Sequence, residues 1–473
     1  MAERMQRFVA IGRLPPEKRP AEARARDWDE IYRDFAREKA HEQASRCAQC
    51  GVPFCQVHCP LGNNIPDWLK LVAEGRMEEA WEVASATNPF PEICGKVCPQ
   101  DRLCEGNCVI EKGFGGVTIG AVEAYIAETA WAAGWVKPPL PVCGESRRRV
   151  AVVGAGPAGL AAAEALRRRG HAVEILDRHD RPGGLMIYGI PHFKLEKHAV
   201  LRHADRLRQA GVVFRQGVEV GRDVSLADLC ASHDAVLLAS GVYQARPLEI
   251  TGRDLKGVVP ALAFLTAANR RVLGDATADP DGALDARGRR VVVVGGGDTA
   301  MDCVRTAVRQ GADQVVCLYR RDRANMPGSL REVANAEEEG VRFAWLSAPV
   351  RILGQDRAEA VEAIRTHLSL PDATGRQQVE PIRGSEHVLP ADLVVEALGF
   401  DPEPYPVLFG APDLAVSRSG TIRIDPNTME TSLPGVFAAG DAVRGASLVV
   451  WGIRDGRDAA DAIDRFLRRL PPA

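Results

Sequence analysis

The stretch Arg149 to Asp177, RVAVVGAGPAGLAAAEALRRRGHAVEILD, constrains the fold more than any other part of the chain. It reads as strand, glycine-rich turn, helix, strand and acid. Val150 to Val153 form a valine-rich run suited to a buried parallel strand. Gly154, Gly156 and Gly159 follow with G-x-G-x-x-G spacing. The first glycine allows the tight turn, the second lets the backbone approach a pyrophosphate, and the third lets helix and strand pack closely. Pro157, followed by Ala158, suits a first helical turn, where a missing N–H costs nothing. The helix points its N-terminal N–H groups at phosphate, and Gly170 ends it. A second strand, Ala172 to Leu176, delivers Asp177, with Arg178 behind it, where a carboxylate can hold a ribose hydroxyl. A glycine motif alone also fits an ordinary strand–turn–helix. Here the whole context is present, and it predicts a dinucleotide site.

A second fingerprint follows. Arg290 to Val294 reads as a strand and leads into GGGDTAMDC. Gly295, Gly297 and Ala300 match G-x-G-x-x-A, with Gly296, Asp298 and Thr299 completing the turn and helix start. A helix runs to about Gln310, and Gln314 to Tyr319 is the next strand. In place of Asp177 this unit has Arg320 and Arg321, with Arg323 close behind. Arginine accommodates a 2′-phosphate that an acid would repel. The first unit therefore suits FAD and the second NADP(H). The alternative is a solvated arginine cluster, with Asp322 among the positive charges.

Between and after the fingerprints, short segments punctuate the chain. RPGGLMIYGIP, Arg181 to Pro191, carries Gly183 and Gly184 before Leu185, where bare backbone could lie against a planar ring or simply turn. DAVLLASG, ending at Gly241, reads as a strand and an exit from the first nucleotide domain. Ala391 to Leu398, ending at Gly399, mirrors it as the return. Near the end, Val436 to Ala439 is a strand, followed by Gly440 and Asp441. A helix starts around Ser447, its N-terminus at Leu448 suited to the electron-rich edge of a flavin. Asp441 suits a ribityl or phosphate group, or is only a turn aspartate.

The N-terminal third reads differently. Asp27 to Arg46 is predicted helical, with Trp28, Ile31, Tyr32 and Phe35 forming one apolar docking stripe. Ile65 to Ala86 reads as a helical spacer, and Gly113 to Trp135 as a turn and a helix. KPPLP, Lys137 to Pro141, reads as a stiff linker, placing a boundary near residue 145. Eight of the twelve cysteines lie in two tight groups here. Cys47, Cys50, Cys55 and Cys59 end in a Cys-Pro pair. Cys94, Cys98, Cys104 and Cys108 form the second group, with Pro99 after Cys98. Cys143, Cys230, Cys303 and Cys317 lack such company and read as buried or incidental.

Composition removes several function classes. A net charge of −3 argues against a general nucleic-acid or anionic-membrane binder. Aromatics at 5% argue against a base-stacking surface. No apolar run is long enough for a signal peptide or a membrane span, which points to the cytoplasm. Cysteines in such a chain favour metal ligation over disulfides. The length of 473 residues suits about three domains.

The cysteine spacing resembles the two-cluster bacterial ferredoxin run, in which the fourth cysteine of each group serves the other cluster. That resemblance implies Cys47, Cys50, Cys55 and Cys108 around one 4Fe-4S cluster, and Cys59, Cys98 and Cys104 around another. Two zinc sites of four thiolates each are the alternative. Paired fingerprints, small-residue exits and the terminal GVFAAGD resemble flavoproteins of the glutathione-reductase type. No redox-active cysteine pair sits beside the flavin, so electrons need another way out.

Over essentially its whole length the sequence resembles the small (beta) subunits of bacterial NADPH-dependent glutamate synthases. The motifs are RFVAIGRLPPEKRP, EIYRDF, CAQCGVPFCQVHCPLGNNIPDW, NPFPEICGKVCP, LCEGNC, GAGPAGLAAAEALRRRGHAV, RPGGLMIYGIP, GGGDTAMDC and GVFAAGDAVRGASLVVWGIRDGR. The N-terminal region of dihydropyrimidine dehydrogenase and NADP-linked ferredoxin oxidoreductase subunits share this core. In dihydropyrimidine dehydrogenase a glutamine is one cluster's fourth ligand, and matching TIGAVEA puts Glu123 there. Glu123 and Cys94 thus compete for one position, with Glu123 preferred because Cys94 is the surplus thiol. Asp177 departs from the more usual Glu and keeps its chemistry.

The resemblance implies an α/β chain with a helical iron–sulfur domain over 1–145. A glutathione-reductase-type FAD domain spans 146–244 and 401–473, with an NADPH-binding Rossmann domain inserted over 245–400. It implies FAD, NADPH and two 4Fe-4S clusters, a route from NADPH through FAD to the clusters, and no dedicated catalytic side chain. The partner implied is a large (alpha) subunit with glutaminase and FMN centres that makes L-glutamate from L-glutamine and 2-oxoglutarate. Ferredoxin or a dihydropyrimidine-reducing subunit are the other acceptors. Residue 2 is Ala2, so no N-terminal cysteine serves as a glutaminase nucleophile.

Overall fold

A computed structural model describes residues 6–142, 144–276, 279, 282–372, 375 and 377–471. Cys143 lies outside them. The N-terminal unit is helical. Helices Arg37–Ala44, Ile65–Ala73, Met77–Thr87, Pro91–Val97 and Ile119–Ala132 enclose Trp68, Leu69, Val72, Trp81 and Ile126. The spacer predicted as one helix over 65–86 is two. At Gly75 (φ +78°) the Gly75 N–H reaches Val72 O and the Arg76 N–H reaches Leu71 O, a glycine-terminated helix end.

The helix predicted over Asp27 to Arg46 forms only from Arg37. Residues 27–36 run as an extended strap instead. The Asp27 carboxylate accepts the Asp29 N–H at 3.1 Å and pairs with Arg19, a local turn that competes with helix. Backbone bonds Arg19 N to Ile31 O and Arg33 N to Glu17 O then tie the strap alongside residues 17–19. The apolar stripe still docks: Ile31 and Phe35 are buried, and the Ile31 N–H bonds Phe193 O.

Two parallel five-stranded sheets carry the rest. The first has the order Val436–Ala438, Ala235–Leu238, Arg149–Val153, Ala172–Asp177, Val213–Gln216. Its outermost strand comes from the end of the chain, with Phe437 opposite Leu237. The second has the order Val258–Pro260, Leu393–Glu396, Arg290–Val294, Gln314–Leu318, Arg342–Ala344. The chain crosses between them through an antiparallel pair, Gln244–Ala245 with Phe400–Asp401. Buried valines at both central strands explain their place, since both faces are covered. An antiparallel sheet of Ser347–Leu353, Ala360–Leu368, Val379–Pro381 and His387–Pro390 packs on the second unit and has no counterpart in the sequence reading.

Candidate cofactor sites

The first fingerprint is built by close backbone approach. Gly154 has φ +108°, and a Cβ there would sit 2.4 Å from Ala239 O. A Cβ on Gly159 would sit 1.9 Å from Gly154 O, so the helix Pro157–Arg168 comes too near for any side chain. Gly156, by contrast, faces open space. Gly183 donates its N–H to Ala155 O at 2.8 Å, and the Cβ position of Gly184 (φ +55°) lies 3.0 Å from Gly156 Cα. The loop before the turn Leu185–Tyr188 therefore lies against the fingerprint.

Asp177 is buried. Its Oδ2 accepts the Ala155 N–H at 2.6 Å and its Oδ1 the His179 N–H at 2.7 Å, so it organises both loops. A cavity opens here, lined by Gly154, Asp177, Arg178, His179, Ser240 and Tyr243. Arg178 lies 4.4 Å over the Tyr243 ring and pairs with Glu403 at 2.9 Å through both nitrogens. The carbonyl of Gly241 accepts the Tyr405 hydroxyl at 2.6 Å. Gly440 (φ +70°) passes so near that a Cβ would sit 2.9 Å from Ala158 Cβ. Asp441 accepts the Ser447 hydroxyl at 2.5 Å, and burial holds its carboxyl above the usual range. Leu448 caps the helix Val449–Leu467. Gly154, Asp177, Gly241 and Gly440 thus gather at one end of the first sheet, at or just beyond the ends of its strands Arg149–Val153, Ala172–Asp177, Ala235–Leu238 and Val436–Ala438.

The second fingerprint repeats the pattern. Gly295 would place a Cβ 2.2 Å from Ala397 O and Gly296 would place one in the Tyr319 ring, while Gly297 faces open space. Asp298 opens the helix Asp298–Arg309 and accepts the Ser329 N–H at 2.9 Å; Thr299 and buried Ala300 follow. Arg320 is exposed and makes no ion pair among the described residues. Arg321 donates to Gln377 O at 3.4 Å, and Arg323 pairs with Glu337. Asp322 turns away from them, its Oδ1 taken by Asn325 N and Nδ2 at 2.9 and 2.8 Å. Among the described residues Arg320 and Arg321 pair with no carboxylate, and arginine is the residue type expected to meet a 2′-phosphate.

The thiols segregate into two sets. Cys47, Cys50, Cys55 and Cys108 line one small cavity. Burial pushes the Cys47 thiol up to about 11 and Cys55 to about 12, with the other thiols of the set raising them further. Cys59, Cys94, Cys98, Cys104 and Glu123 form the second set, each thiol feeling the Glu123 carboxylate. Burial raises that carboxyl to about 7. Asn63 and Asn88 both donate to its Oε1, at 2.8 and 3.0 Å. Cys94 sits in the helix Pro91–Val97, its Sγ 3.7 Å from Asn88 Oδ1. Thiols held up by burial and by one another give up their protons readily to a metal, which fits an iron–sulfur occupant. Of the remaining cysteines, Cys303 and Cys317 are buried and Cys230 is exposed.

The sequence alone does not single out Asn63, Asn88, Tyr243 or Glu403. The asparagines lie inside GNNIPDW and NPFPEIC, beside the cysteine groups, and that adjacency was the available signal. Tyr243 and Glu403 carry none, because only the fold brings them to Arg178.

Residues 24–135 match the family described as dihydropyrimidine dehydrogenase domain II, 4Fe-4S cluster, and residues 148–456 match pyridine nucleotide-disulphide oxidoreductases. The glutamate synthase (NADPH) small chain of Azospirillum brasilense is 59% identical, covering 98% of this chain and 97% of its own. The chain belongs to the family of NADPH-dependent glutamate synthase small chains. The Escherichia coli K12 small chain is 45% identical over 99% of this chain and 100% of its own. Among solved structures, Mycobacterium tuberculosis FprA in complex with NADPH shares the fold at TM-score 0.56 and 23% identity, covering 68% of this chain and 85% of that one. This small chain is an NADPH-dependent oxidoreductase with FAD and 4Fe-4S domains. No helix among its described residues is long and apolar enough to cross a membrane.

Proposed function

We propose that this chain is the electron-input subunit of glutamate synthase, feeding a large subunit that makes L-glutamate from L-glutamine and 2-oxoglutarate. One observation carries the reading: one thiol set borders the flavin domain, and the other lies beside exposed apolar side chains. Cys94 and Cys98 share a continuous core with Ala158 and Ile453 of the flavin domain. Arg454 and Arg457 of that domain donate to Pro60 O and Thr87 O. The second set is therefore the inner site. The first set lies at the outside, among the exposed side chains Val52, Phe54, Val57 and Val109. Such a patch suits a protein partner rather than water.

The chain's own residues do the holding. Gly154, Gly156, Asp177, Arg178 and Gly440 fit FAD; Gly295, Gly297, Arg320 and Arg321 fit NADPH. Cys47, Cys50, Cys55 and Cys108 fit one 4Fe-4S cluster; Cys59, Cys98, Cys104 and Glu123 fit a second. Asn63 and Asn88 orient Glu123 as outer partners orient metal ligands. Bound there, the flavin and clusters supply the conversion of a hydride pair into single electrons. No side chain is needed as an acid or base. Eleven cysteines among the described residues, none of them in a disulfide, suit the cytoplasm.

The test is reconstitution. Mixed with a glutamate synthase large subunit, the chain should support NADPH oxidation that requires both glutamine and 2-oxoglutarate. Turnover with ferredoxin or a dihydropyrimidine-reducing subunit, and none with the large subunit, would transfer the module to another acceptor.

A further inference from the structure

Arg46 has no exposure to solvent (0%). Its guanidinium donates to four carbonyls: Ile11 and Gly116 at 2.9 Å, Phe114 at 2.7 Å and Gly115 at 2.8 Å. Among the described residues no carboxylate pairs with it. Other arginines buried as deeply differ. Arg24 meets Glu338 and Glu339, and Arg305 meets Glu332 and Glu339. A buried cation without a counter-anion is costly, and arginine cannot shed its proton. Carbonyl dipoles offset part of that cost and leave the net charge in place.

The location supplies the anion. Arg46 directly precedes Cys47. Gly116, whose carbonyl it holds, lies so near Cys108 that an added Cβ would sit 3.4 Å from Cys108 Cβ. Arg46 therefore spans the two ends of the outer thiol set. The charged groups around it are Arg13, paired with Glu105, and Glu111, whose carboxylate accepts the Gly116 N–H.

Resting on the reading of Cys47, Cys50, Cys55 and Cys108 as ligands of the outer cluster, we infer that Arg46 is a positioning residue whose fixed charge raises that cluster's reduction potential. Four thiolates make the site net negative, and reduction adds a further negative charge. A nearby cation in a low-dielectric setting favours the reduced form more than the oxidised one. A higher potential at the outer cluster favours electron flow toward the exposed patch.

The experiment is an anaerobic, EPR-monitored redox titration of the full chain, with iron and acid-labile sulfide counted in each sample. Arg46→Gln should make the outer cluster at least tenfold harder to reduce at fixed poise, a downward shift of about 59 mV for one electron. Arg46→Lys keeps the charge and should stay near the unsubstituted chain. Glu111→Gln keeps an acceptor for Gly116 and removes a negative charge, so its midpoint should rise. Should Arg46→Gln fail to load, the other two variants carry the test. Equal midpoints in all cluster-loaded variants would overturn the inference. An unsubstituted chain without iron and sulfide would instead overturn the ligand reading beneath it.

Discussion

Gly456, in the last helix, lies where an added Cβ would sit 2.1 Å from the carbonyl oxygen of Ala158 in the first fingerprint helix. The end of the chain is thereby pressed against the turn that opens the flavin site. Alanine would gain about 1 kcal/mol of helix propensity. The opposing contact is with backbone, which cannot rotate away, and overpacking costs about 1–3 kcal/mol. Gly456→Ala should therefore melt lower and lose flavin on desalting. A variant that melts higher with full flavin would contradict the packing argument.

Among the described residues beyond the second fingerprint, Arg320 and Arg321 pair with no carboxylate. A charge-assisted hydrogen bond is worth about 1.5–3 kcal/mol. Arg320→Ala and Arg321→Ala should each raise KM for NADPH about tenfold or more, with kcat little changed and NADH use unaffected. Initial-rate kinetics with both nucleotides check this. Equal losses for NADPH and NADH would place the 2′-phosphate elsewhere.

Lys197 is buried, and its Nζ donates to the carbonyls of Met186 and Ile190 in the glycine-rich loop. Burial lowers its pKa to about 7. The unfolded chain holds this proton to about 10.4. Between these values the unfolded state binds more protons, so stability rises with pH across the window. The cost of the buried charge is full below about 7 and gone above the unfolded value. Lys197→Met should flatten denaturant stability between pH 7 and the upper end of that window. Parallel curves for both proteins would contradict the buried-charge account.

Both asparagine amides that reach Glu123 land on Oε1, the arrangement expected of a carboxylate held to serve as a ligand. Cys94→Ser should keep both clusters and their EPR signals. Glu123→Ala should lose or alter the signal of the inner cluster while sparing the outer one. The reverse pattern would make Cys94 the ligand.

What was legible in the sequence was local. Gly154, Gly156 and Gly159, their second-unit counterparts and the cysteine spacings act within one turn or loop, so order along the chain carries the geometry. What was not legible depends on distant partners. Trp28, Ile31, Tyr32 and Phe35 have helical spacing, yet the Asp27 turn and pairing with residues 17–19 draw them out as a strap. The 65–86 spacer hid its break although Gly75 stood in plain view. The antiparallel sheet over 347–390 alternates weakly, because strands such as Ser347–Leu353 bury only some of their inward positions. Arg178 stands beside Asp177 in the sequence, and only the fold reveals Glu403 opposite it.

The central claim is that this chain passes single electrons from NADPH to clusters held by its own thiols and Glu123. The most direct measurement is anaerobic: purify the full chain, count flavin, iron and acid-labile sulfide, then add NADPH and record EPR. The account predicts bound FAD, iron and sulfide for two clusters, and a reduced-cluster signal that Cys108→Ala diminishes. Flavin bleaching with no iron or sulfide, or zinc in their place, would contradict it.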